Sequence, residues 1–194
     1  MTATLVIPLK GFADAKGRLA EALDPSEREE LARHLASGVI AAAPGPVVVV
    51  TSDPDAADLA VGLGATALAD PGRGLDAAAE AGRRHAVDSG ADRVAIVHAD
   101  LPFPDSLAEV VDGDDLVLVP DRRDDGTNVI VLPSRLAGFA FAYGPGSFAR
   151  HLAEASRLSI SPRVVRDSPL AWDVDLPEDL DTPAEWGSWA PCPS

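Results

Sequence analysis

The chain has 194 residues, of which 46% are hydrophobic and 24% charged, a composition typical of one globular domain rather than of a disordered segment. Its formal net charge of −15 at pH 7 argues against nucleic acid as a partner, because an acidic surface repels the phosphate backbone. The single cysteine, Cys192, excludes an internal disulfide and a cage of thiolate metal ligands.

Targeting segments are not predicted. The N-terminal sequence MTATLVIPLK lacks the basic region and long apolar run of a signal peptide. No apolar run approaches the ~20 residues that a membrane span requires. We therefore expect a cytoplasmic protein without a membrane partner.

Strands and helices are predicted to alternate from the N-terminus onward. Runs of Val, Ile and Leu predict buried strands, and capping residues before amphipathic runs predict helix starts. In chain order, the predicted strands are 4–9, 47–52, 65–70, 93–99, 116–120, 128–132 and 162–166. The predicted helices are 27–43, 54–63, 74–89, 104–111, 147–157 and 183–189, the first with Asp24 as its N-cap.

The order of these elements predicts a single α/β domain. Strands that are apolar throughout are typical of a parallel sheet covered by helices on both faces. The strands near Val117 and Val131 are too close in sequence for a helical crossover, so we expect a mixed, mostly parallel sheet flanked by helices. Residues 1–185 are predicted to form the domain and 186–194 a C-terminal tail. Ligands of open α/β sheets bind at the carboxyl ends of strands, where candidate site residues follow.

The segment after the first strand, PLKGFADAKGRL, is locally positive in an acidic chain. Lys10 and Lys16 are the only lysines among 16 basic residues, and Arg18 follows closely. Cations beside glycines suit a bound phosphate, although a solvated basic helix start would have the same composition. The segment matches neither the Walker A nor the dinucleotide-binding glycine pattern.

Carboxylates follow the fourth predicted strand, in HADLP, and recur in WDVDLPEDL. Alternate residues of an extended segment share a face, so Asp173 and Asp175 are predicted to point the same way. Asp100 lies at a strand end and is a candidate third ligand. Oxygen ligands at this spacing favour a divalent cation such as Mg²⁺. The alternatives are an ordinary turn at Asp100 and an acidic turn before a helix in WDVDLPEDL.

Two further motifs predict an anion site. The sequence GPGSF opens a predicted helix, and Gly144 and Ser147 there offer open backbone donors and a hydroxyl. In DGTNVIVL, Thr127 offers a second hydroxyl at the mouth of a strand. A plain helix cap and an ordinary hairpin turn are the alternatives.

A weaker motif, GRGLD, enters a predicted helix at Gly74 and is a candidate contact for a base or ribose. The histidines within predicted helices, His34, His85 and His151, carry no predicted role. Cations for a polyphosphate, carboxylates for Mg²⁺ and a separate anion site together predict nucleotidyl transfer.

These motifs, in this order, resemble the 2-phospho-L-lactate guanylyltransferase family of coenzyme F(420) biosynthesis, whose actinobacterial members act as phosphoenolpyruvate guanylyltransferases. The resemblance covers residues 4–182 and is carried by PLKGFADAKGRL, HADLP, DGTNVIVL, YGPGSFARH and WDVDLPEDLD. It implies a nucleotide-diphosphosugar transferase-like (GT-A-like) fold, with GTP and a small phosphorylated acid as substrates and diphosphate as a product.

The resemblance also implies site residues. Thr127, Gly144 and Ser147 match its acid-binding positions, and Asp100, Asp173 and Asp175 match its metal carboxylates. We further expect Lys10, Lys16, Arg18 and Gly74 to bind the nucleotide, with Lys16 and Arg18 as catalytic groups. Where relatives often have GLN, this chain has Asp76, which puts base selection by that residue in doubt. A homodimer is left open.

The composition is typical of actinobacterial proteins, which favours phosphoenolpyruvate over 2-phospho-L-lactate. One rival interpretation is a non-catalytic sensor of nucleotides or phosphometabolites, which would not need three carboxylates. Another is a nucleotidyltransferase for a sugar phosphate or a molybdopterin, but such enzymes usually open with a glycine-rich LAGG-type loop.

Overall fold

The computed structural model describes residues 2–13, 15–166 and 168–183. Its strands are β1 (Ala3–Pro8), β2 (Val47–Thr51), β3 (Thr66–Ala69), β4 (Arg93–Val97), β5 (Val117–Pro120), β6 (Thr127–Pro133) and β7 (Arg163–Val164). Its α-helices are α1 (Pro25–Ala41), α2 (Pro54–Gly62), α3 (Leu75–Asp88), α4 (Leu107–Val111) and α5 (Ser147–Arg157).

The seven strands form one mixed sheet with the order β3-β2-β1-β4-β6-β5-β7. Strands β1 to β4 pair with one another in parallel, as does β7 with β5. Strand β6 is antiparallel to both β4 and β5. The connection between β5 and β6 is too short for a crossover, so antiparallel pairing follows, and the predicted mixed sheet is confirmed.

Apolar residues cover both faces of the sheet. Leu5 and Ile7 of β1 pack into the core shared with α1, while Val6 between them packs into the core shared with α3 and α5. Because successive strand residues point to opposite faces, an uninterrupted apolar strand serves both cores.

The start of α1 follows the capping chemistry expected from the sequence. The Asp24 side chain accepts from the Glu27 N–H at 2.9 Å, and the Glu27 side chain accepts from the Asp24 N–H at 2.8 Å. This capping box satisfies two backbone donors that a helix N-terminus otherwise leaves open.

Several predicted elements are shorter than expected. The strand predicted over 162–166 is the two-residue β7, and the helix predicted over 104–111 begins as a 3₁₀ turn over Pro104–Ser106. The helix predicted over 183–189 and the tail over 186–194 lie outside the described residues, apart from residue 183. Among the described helices, none is long and apolar enough to cross a membrane.

Parallel pairing of β1 with β4 sets the place of the candidate site. Both strands end at the same edge of the sheet, so the loop after β1 and the residues after β4 meet there. The antiparallel strand β6 begins at this edge, bringing Thr127 to the same end.

Candidate active site

The three predicted metal carboxylates lie together at this edge. Asp100, Asp173 and Asp175 each offer one oxygen, and these oxygens lie within 4.8 Å of one another. The Val174 N–H donates to the Asp100 carbonyl at 3.2 Å, and the Val174 side chain is fully buried against α1. Alternation along this extended segment therefore directs both of its aspartates to one side, and we call the three carboxylates the carboxylate cluster.

The carboxylate cluster is electrostatically strained. Burial, together with repulsion from Asp100 and Asp175, raises the pKa of Asp173 to about 7. Burial also opposes ionisation of Asp100, but the nearby Lys16 ammonium outweighs it and holds the Asp100 pKa below its ordinary value. Like charges this close favour a cation between them.

Lys16 supplies part of that positive charge. Its ammonium donates to Asp100 Oδ2 at 2.7 Å and to Asp175 Oδ1 at 3.2 Å. Burial lowers the pKa of Lys16, but the two carboxylates outweigh burial and the pKa lies above its ordinary value. Arg18 lies 3.6 Å from Asp175 with its side chain 73% exposed. Lys10 is exposed and forms no ion pair with any described residue.

Unsatisfied polar atoms concentrate beside this cluster. Five buried side-chain atoms have no hydrogen-bond partner within the described ranges, and His98 Nε2, Asp100 Oδ1 and Tyr143 Oη are three of them. Buried polar atoms are normally paired, so three orphans in one region indicate a place for a ligand. An all-oxygen donor set with an open Asp100 oxygen suits a divalent cation of the Mg²⁺ or Ca²⁺ type.

The predicted hydroxyl donors meet in a buried group that we call the hydroxyl cluster: Thr127, Ser147 and His151. The Ala142 N–H donates to His151 Nε2 at 3.0 Å, so Nδ1 carries the ring proton and donates to Thr127 Oγ1 at 2.9 Å. The Ser147 hydroxyl also donates to Thr127, at 3.5 Å. Thr127 and Ser147 are 0% and 1% exposed, so neither hydroxyl reaches the surface in this conformation.

The loop before α5 is held by its own side chains. Asp125 Oδ1 accepts from the Gly146 N–H at 3.1 Å, which occupies one backbone donor that the sequence predicts to be open. The Arg150 guanidinium donates to the carbonyls of residues 142–145. Gly144, with φ of 105°, is exposed, and its N–H has no partner among the described residues.

The start of α3 lies against the same loop. Gly74 is the N-cap of α3 with φ of 88°, a conformation that favours glycine. Asp76 accepts from the Tyr143 N–H at 2.7 Å, and the Tyr143 ring lies 5.5 Å from that of His98. Asp76 therefore acts as a hydrogen-bond acceptor for the loop before α5. This role does not need the amide donor of the asparagine that relatives often have at this position.

Sequence reasoning missed two structural carboxylates of this region. Asp121 accepts from the Arg123, Asp125 and Gly126 N–H groups, which shapes the turn between β5 and β6. Asp179 is fully buried and binds two arginines from that turn. The only local signal for Asp179 is its place in an acidic first helical turn, where its side chain accepts from the Leu176 N–H.

Similar solved structures define the fold class. A protein of Desulfovibrio desulfuricans described as a nucleotide-diphospho-sugar transferase superposes with a TM-score of 0.75 at 19% identity, covering 91% of this chain and 84% of that one. Glucosyl-3-phosphoglycerate synthase of Mycobacterium tuberculosis, solved with Mg²⁺ and uridine diphosphate, gives 0.53 at 15% identity, covering 85% and 68%. The predicted nucleotide-diphosphosugar transferase-like fold is confirmed.

Sequence comparison defines the family. The model of the guanylyl transferase CofC-like family matches residues 3–184, and the chain belongs to this family. Phosphoenolpyruvate guanylyltransferases of Sphaerobacter thermophilus and Rubrobacter xylanophilus are 38% and 39% identical, each covering 93% of this chain and 92% of the relative. The 2-phospho-L-lactate guanylyltransferase of Methanothermobacter thermautotrophicus is 33% identical, covering 93% and 83%.

Proposed function

We propose that this protein transfers the guanylyl group of GTP to phosphoenolpyruvate and releases diphosphate, as a step of coenzyme F(420) biosynthesis. The observation that carries the proposal is the carboxylate cluster, which lies beside a lysine at the carboxyl end of β4 in a member of the guanylyl transferase family. A sensor has no need of three converging acidic groups, so the catalytic interpretation is favoured over it.

The carboxylate cluster is proposed to hold Mg²⁺. When bound, the ion would neutralise negative charge on the triphosphate. Asp100 leaves one buried oxygen without a partner, and burial together with its acidic neighbours raises the pKa of Asp173 to about 7, so a cation relieves both conditions. Lys16 and Arg18 supply additional positive charge next to Asp175.

The reaction needs positioning rather than a general base. A phosphate oxygen of the acid attacks the α-phosphorus of GTP, a new P–O bond forms, and the bond to the diphosphate leaving group breaks. A phosphate monoester is mostly ionised at pH 7, so no proton has to be removed. Lys16 and Arg18 are proposed to stabilise charge that develops on the α-phosphate and on the departing diphosphate.

The two substrates are proposed to occupy opposite sides of the carboxylate cluster. GTP would contact Lys10, Lys16, Arg18 and Gly74, which follow β1 or begin α3. The acid would lie on the α5 side, where the Gly144 N–H is an open donor. Thr127 and Ser147, which are buried and hydrogen-bonded to each other, would lie beneath the bound acid. Opposite placement brings the attacking phosphate towards the α-phosphorus.

Phosphoenolpyruvate is proposed over 2-phospho-L-lactate. Relatives named for phosphoenolpyruvate reach 38% and 39% identity, whereas the relative named for 2-phospho-L-lactate is at 33%. The composition supports the same choice.

A diphosphate-release assay tests the proposal directly. GTP with phosphoenolpyruvate should release diphosphate and form a product whose mass is that of the guanylylated acid, whereas ATP, CTP and UTP should react far more slowly. The Asp100→Asn variant should lose at least about 100-fold in rate, because it weakens the hold on a cation that neutralises transition-state charge, a contribution worth ~3–4 kcal/mol. The matched control is Asp58→Asn, which changes an exposed carboxylate of α2.

The same assay separates the alternatives. Faster reaction with 2-phospho-L-lactate would reverse the choice of acid. Binding of GTP in calorimetry, with no diphosphate released from any acid, would favour a sensor. An Asp100→Asn variant as active as the parent would remove the proposed role of the carboxylate cluster.

A further inference from the structure

Asp179 is a buried carboxylate that no step of the proposed reaction uses. It lies in the 3₁₀ turn Pro177–Leu180 and is 0% exposed. One oxygen, Oδ1, accepts from Arg122 and from Arg123, the latter at 2.9 Å. The other oxygen, Oδ2, accepts from the N–H groups of Asp175 and Leu176 at 2.9 and 2.7 Å. Asp179 thus joins two arginine side chains to the backbone of a predicted metal ligand.

A second set of contacts closes this segment on itself. The Trp172 ring nitrogen donates to the Asp179 carbonyl at 3.0 Å, and the Arg122 guanidinium lies 4.5 Å from the centre of the Trp172 ring. On the other side, the Val174 N–H is bound to the Asp100 carbonyl. The extended segment that carries two carboxylates is therefore held at Trp172, at Val174 in its middle and at Asp175.

The two arginines come from the turn between β5 and β6. In that turn the Asp121 carboxylate accepts from the Arg123 N–H at 2.9 Å, and Asp125 accepts from the Gly146 N–H at the start of α5. The same short turn thus contacts both the segment of the carboxylate cluster and the loop of the hydroxyl cluster. The ion pairs of Asp179 with this turn and the hydrogen bond from Gly146 to Asp125 together connect the two sides of the site.

We propose that Asp179, paired with Arg122 and Arg123, is a positioning residue that fixes the backbone at Asp175 and thereby sets the affinity of the carboxylate cluster for a divalent cation. The inference rests on the proposed function, because it assumes that the carboxylate cluster binds such a cation. Partners that orient metal ligands typically contribute 10–100-fold to metal affinity or activity when they are removed.

The geometry explains why a carboxylate is required at this position. Both oxygens act as acceptors, one towards guanidinium groups and one towards backbone N–H groups. An asparagine has the same shape but only one acceptor oxygen, and its NH₂ group would face donors on one of the two sides. Asp179→Asn therefore breaks one half of the clamp without creating a cavity.

The test is Mn²⁺ binding to the full chain without nucleotide, followed by electron paramagnetic resonance of the free ion. Asp179→Asn should weaken Mn²⁺ binding about 10–100-fold. In diphosphate-release assays it should raise the Mg²⁺ concentration for half-maximal rate by a similar factor, with kcat recovered at saturating Mg²⁺. Recovery of kcat separates loss of positioning from loss of a group that touches the substrate.

Two controls isolate the clamp. Glu178→Gln alters a neighbouring side chain that is 65% exposed and pairs with the same arginines, and it should leave Mn²⁺ affinity unchanged. Val39→Ala destabilises the fold through a cavity in the apolar core at a residue of α1 outside the carboxylate cluster, and it should also bind Mn²⁺ as the parent does. Should Asp179→Asn fail to fold, Arg123→Met removes one guanidinium and is expected to weaken Mn²⁺ binding less strongly.

The outcomes also distinguish the clamp from the proposed function. Parent-like Mn²⁺ affinity in folded Asp179→Asn, or in Arg123→Met if the former does not fold, overturns the clamp and leaves guanylyl transfer untouched. Weakened Mn²⁺ binding in a chain that releases no diphosphate supports the clamp and overturns the proposed reaction. A parent chain that binds no Mn²⁺ overturns the clamp and the proposed metal role of the carboxylate cluster, whereas guanylyl transfer itself is decided by the diphosphate-release assay.

Discussion

The carboxylate cluster and the hydroxyl cluster differ in how well their buried polar groups are paired. In the carboxylate cluster, Asp100 keeps an unpaired buried oxygen and Asp173 has a pKa of about 7. In the hydroxyl cluster, Thr127 accepts from both His151 and Ser147, and the network is closed from solvent. The carboxylate cluster therefore contains like charges that repel one another, whereas the polar groups of the hydroxyl cluster are hydrogen-bonded to one another.

This difference separates two ways of preparing a binding site. Repelling carboxylates gain stability only when a cation arrives, so the carboxylate cluster is expected to weaken the empty protein and to strengthen the loaded one. A closed hydroxyl network stabilises the empty protein and fixes the backbone of the adjoining loop, so its effect on a ligand passes through the Gly144 backbone. A substitution that removes a carboxylate should therefore stabilise the empty protein while lowering activity. A substitution in the hydroxyl cluster should instead lower the stability of the empty protein.

Asp173→Asn should have the largest effect, and it should lower activity while raising stability. Activity should fall about 100–1,000-fold, since a proposed ligand of the cation that neutralises transition-state charge is removed. The raised pKa of Asp173 means that the folded state loses stability as pH rises from 3.8 to about 7, because the unfolded state ionises first. At pH 8 in EDTA, the variant should therefore be more stable by up to roughly 4 kcal/mol.

Urea unfolding and the diphosphate assay on the same preparations measure both quantities. Asp58→Asn is the matched control and should change neither stability nor rate. A less stable Asp173→Asn would mean that Asp173 is a satisfied structural group, and the contrast between the two sides would disappear.

The pH dependence of stability tests the hydroxyl cluster. Burial, and then the nearby Arg150, lower the pKa of His151 to about 4, while Glu154 opposes them and His98 adds to them. The unfolded state binds a proton first, so stability should fall as pH drops from about 6.5 to about 4, by roughly 3 kcal/mol. Urea unfolding at pH 7 and pH 4.5 should record most of this loss in the parent.

His151→Gln should reduce that pH dependence, whereas His34→Gln, at an exposed position of α1, should retain it. The difference between the two variants separates His151 from other groups that titrate in the same range. An equal pH slope in all three proteins would show that the hydroxyl cluster is not closed around a neutral imidazole in solution.

Lys16→Ala should affect the nucleotide far more than the acid. Lys16 neutralises Asp100 and Asp175 in the empty protein, and in the proposed complex it faces the triphosphate. A hydrogen bond to a charged group is worth about 2 kcal/mol, so GTP affinity measured by calorimetry should fall about 30-fold. Lys10→Ala, which alters the other lysine of the same loop, should have a smaller effect because that side chain is exposed. Unchanged GTP affinity in Lys16→Ala would restrict Lys16 to pairing with carboxylates.

Local pattern was enough to predict much of this arrangement. Helix α5 has the predicted bounds of Ser147 and Arg157, since glycines precede it and its apolar residues recur at helical spacing. The alternation around Val174 placed two carboxylates on one side because an extended segment has a period of two. Both predictions depend only on neighbouring residues.

Contacts between distant segments were not predictable in the same way. Asp179 follows its arginine partner Arg122 by 57 residues, and no periodicity links them. His151 has the helical setting of an ordinary core or surface residue, and only the fold brings its ring against Thr127. The basic loop predicts that Lys16 faces a phosphate, but whether a lysine pairs with a ligand or with the protein's own carboxylates depends on the tertiary arrangement.

Gly144→Ala should have the smallest effect of these substitutions, and it tests whether the loop of the hydroxyl cluster serves the acid alone. Gly144 has φ of 105°, so a Cβ strains the backbone by about 1 kcal/mol, although its nearest neighbour, Arg150 Nη2, would be 3.7 Å away. The strain should shift the open N–H and raise the KM for the acid about 5-fold while leaving the KM for GTP nearly unchanged. Gly113→Ala is the matched control, because Gly113 has φ of 90°, open space around it and a position outside the site. Similar losses of stability in both variants, with a change in KM for the acid in Gly144→Ala alone, would assign the effect to the loop backbone. A rise in the KM for GTP instead would mean that the two substrates occupy the opposite sides from those proposed.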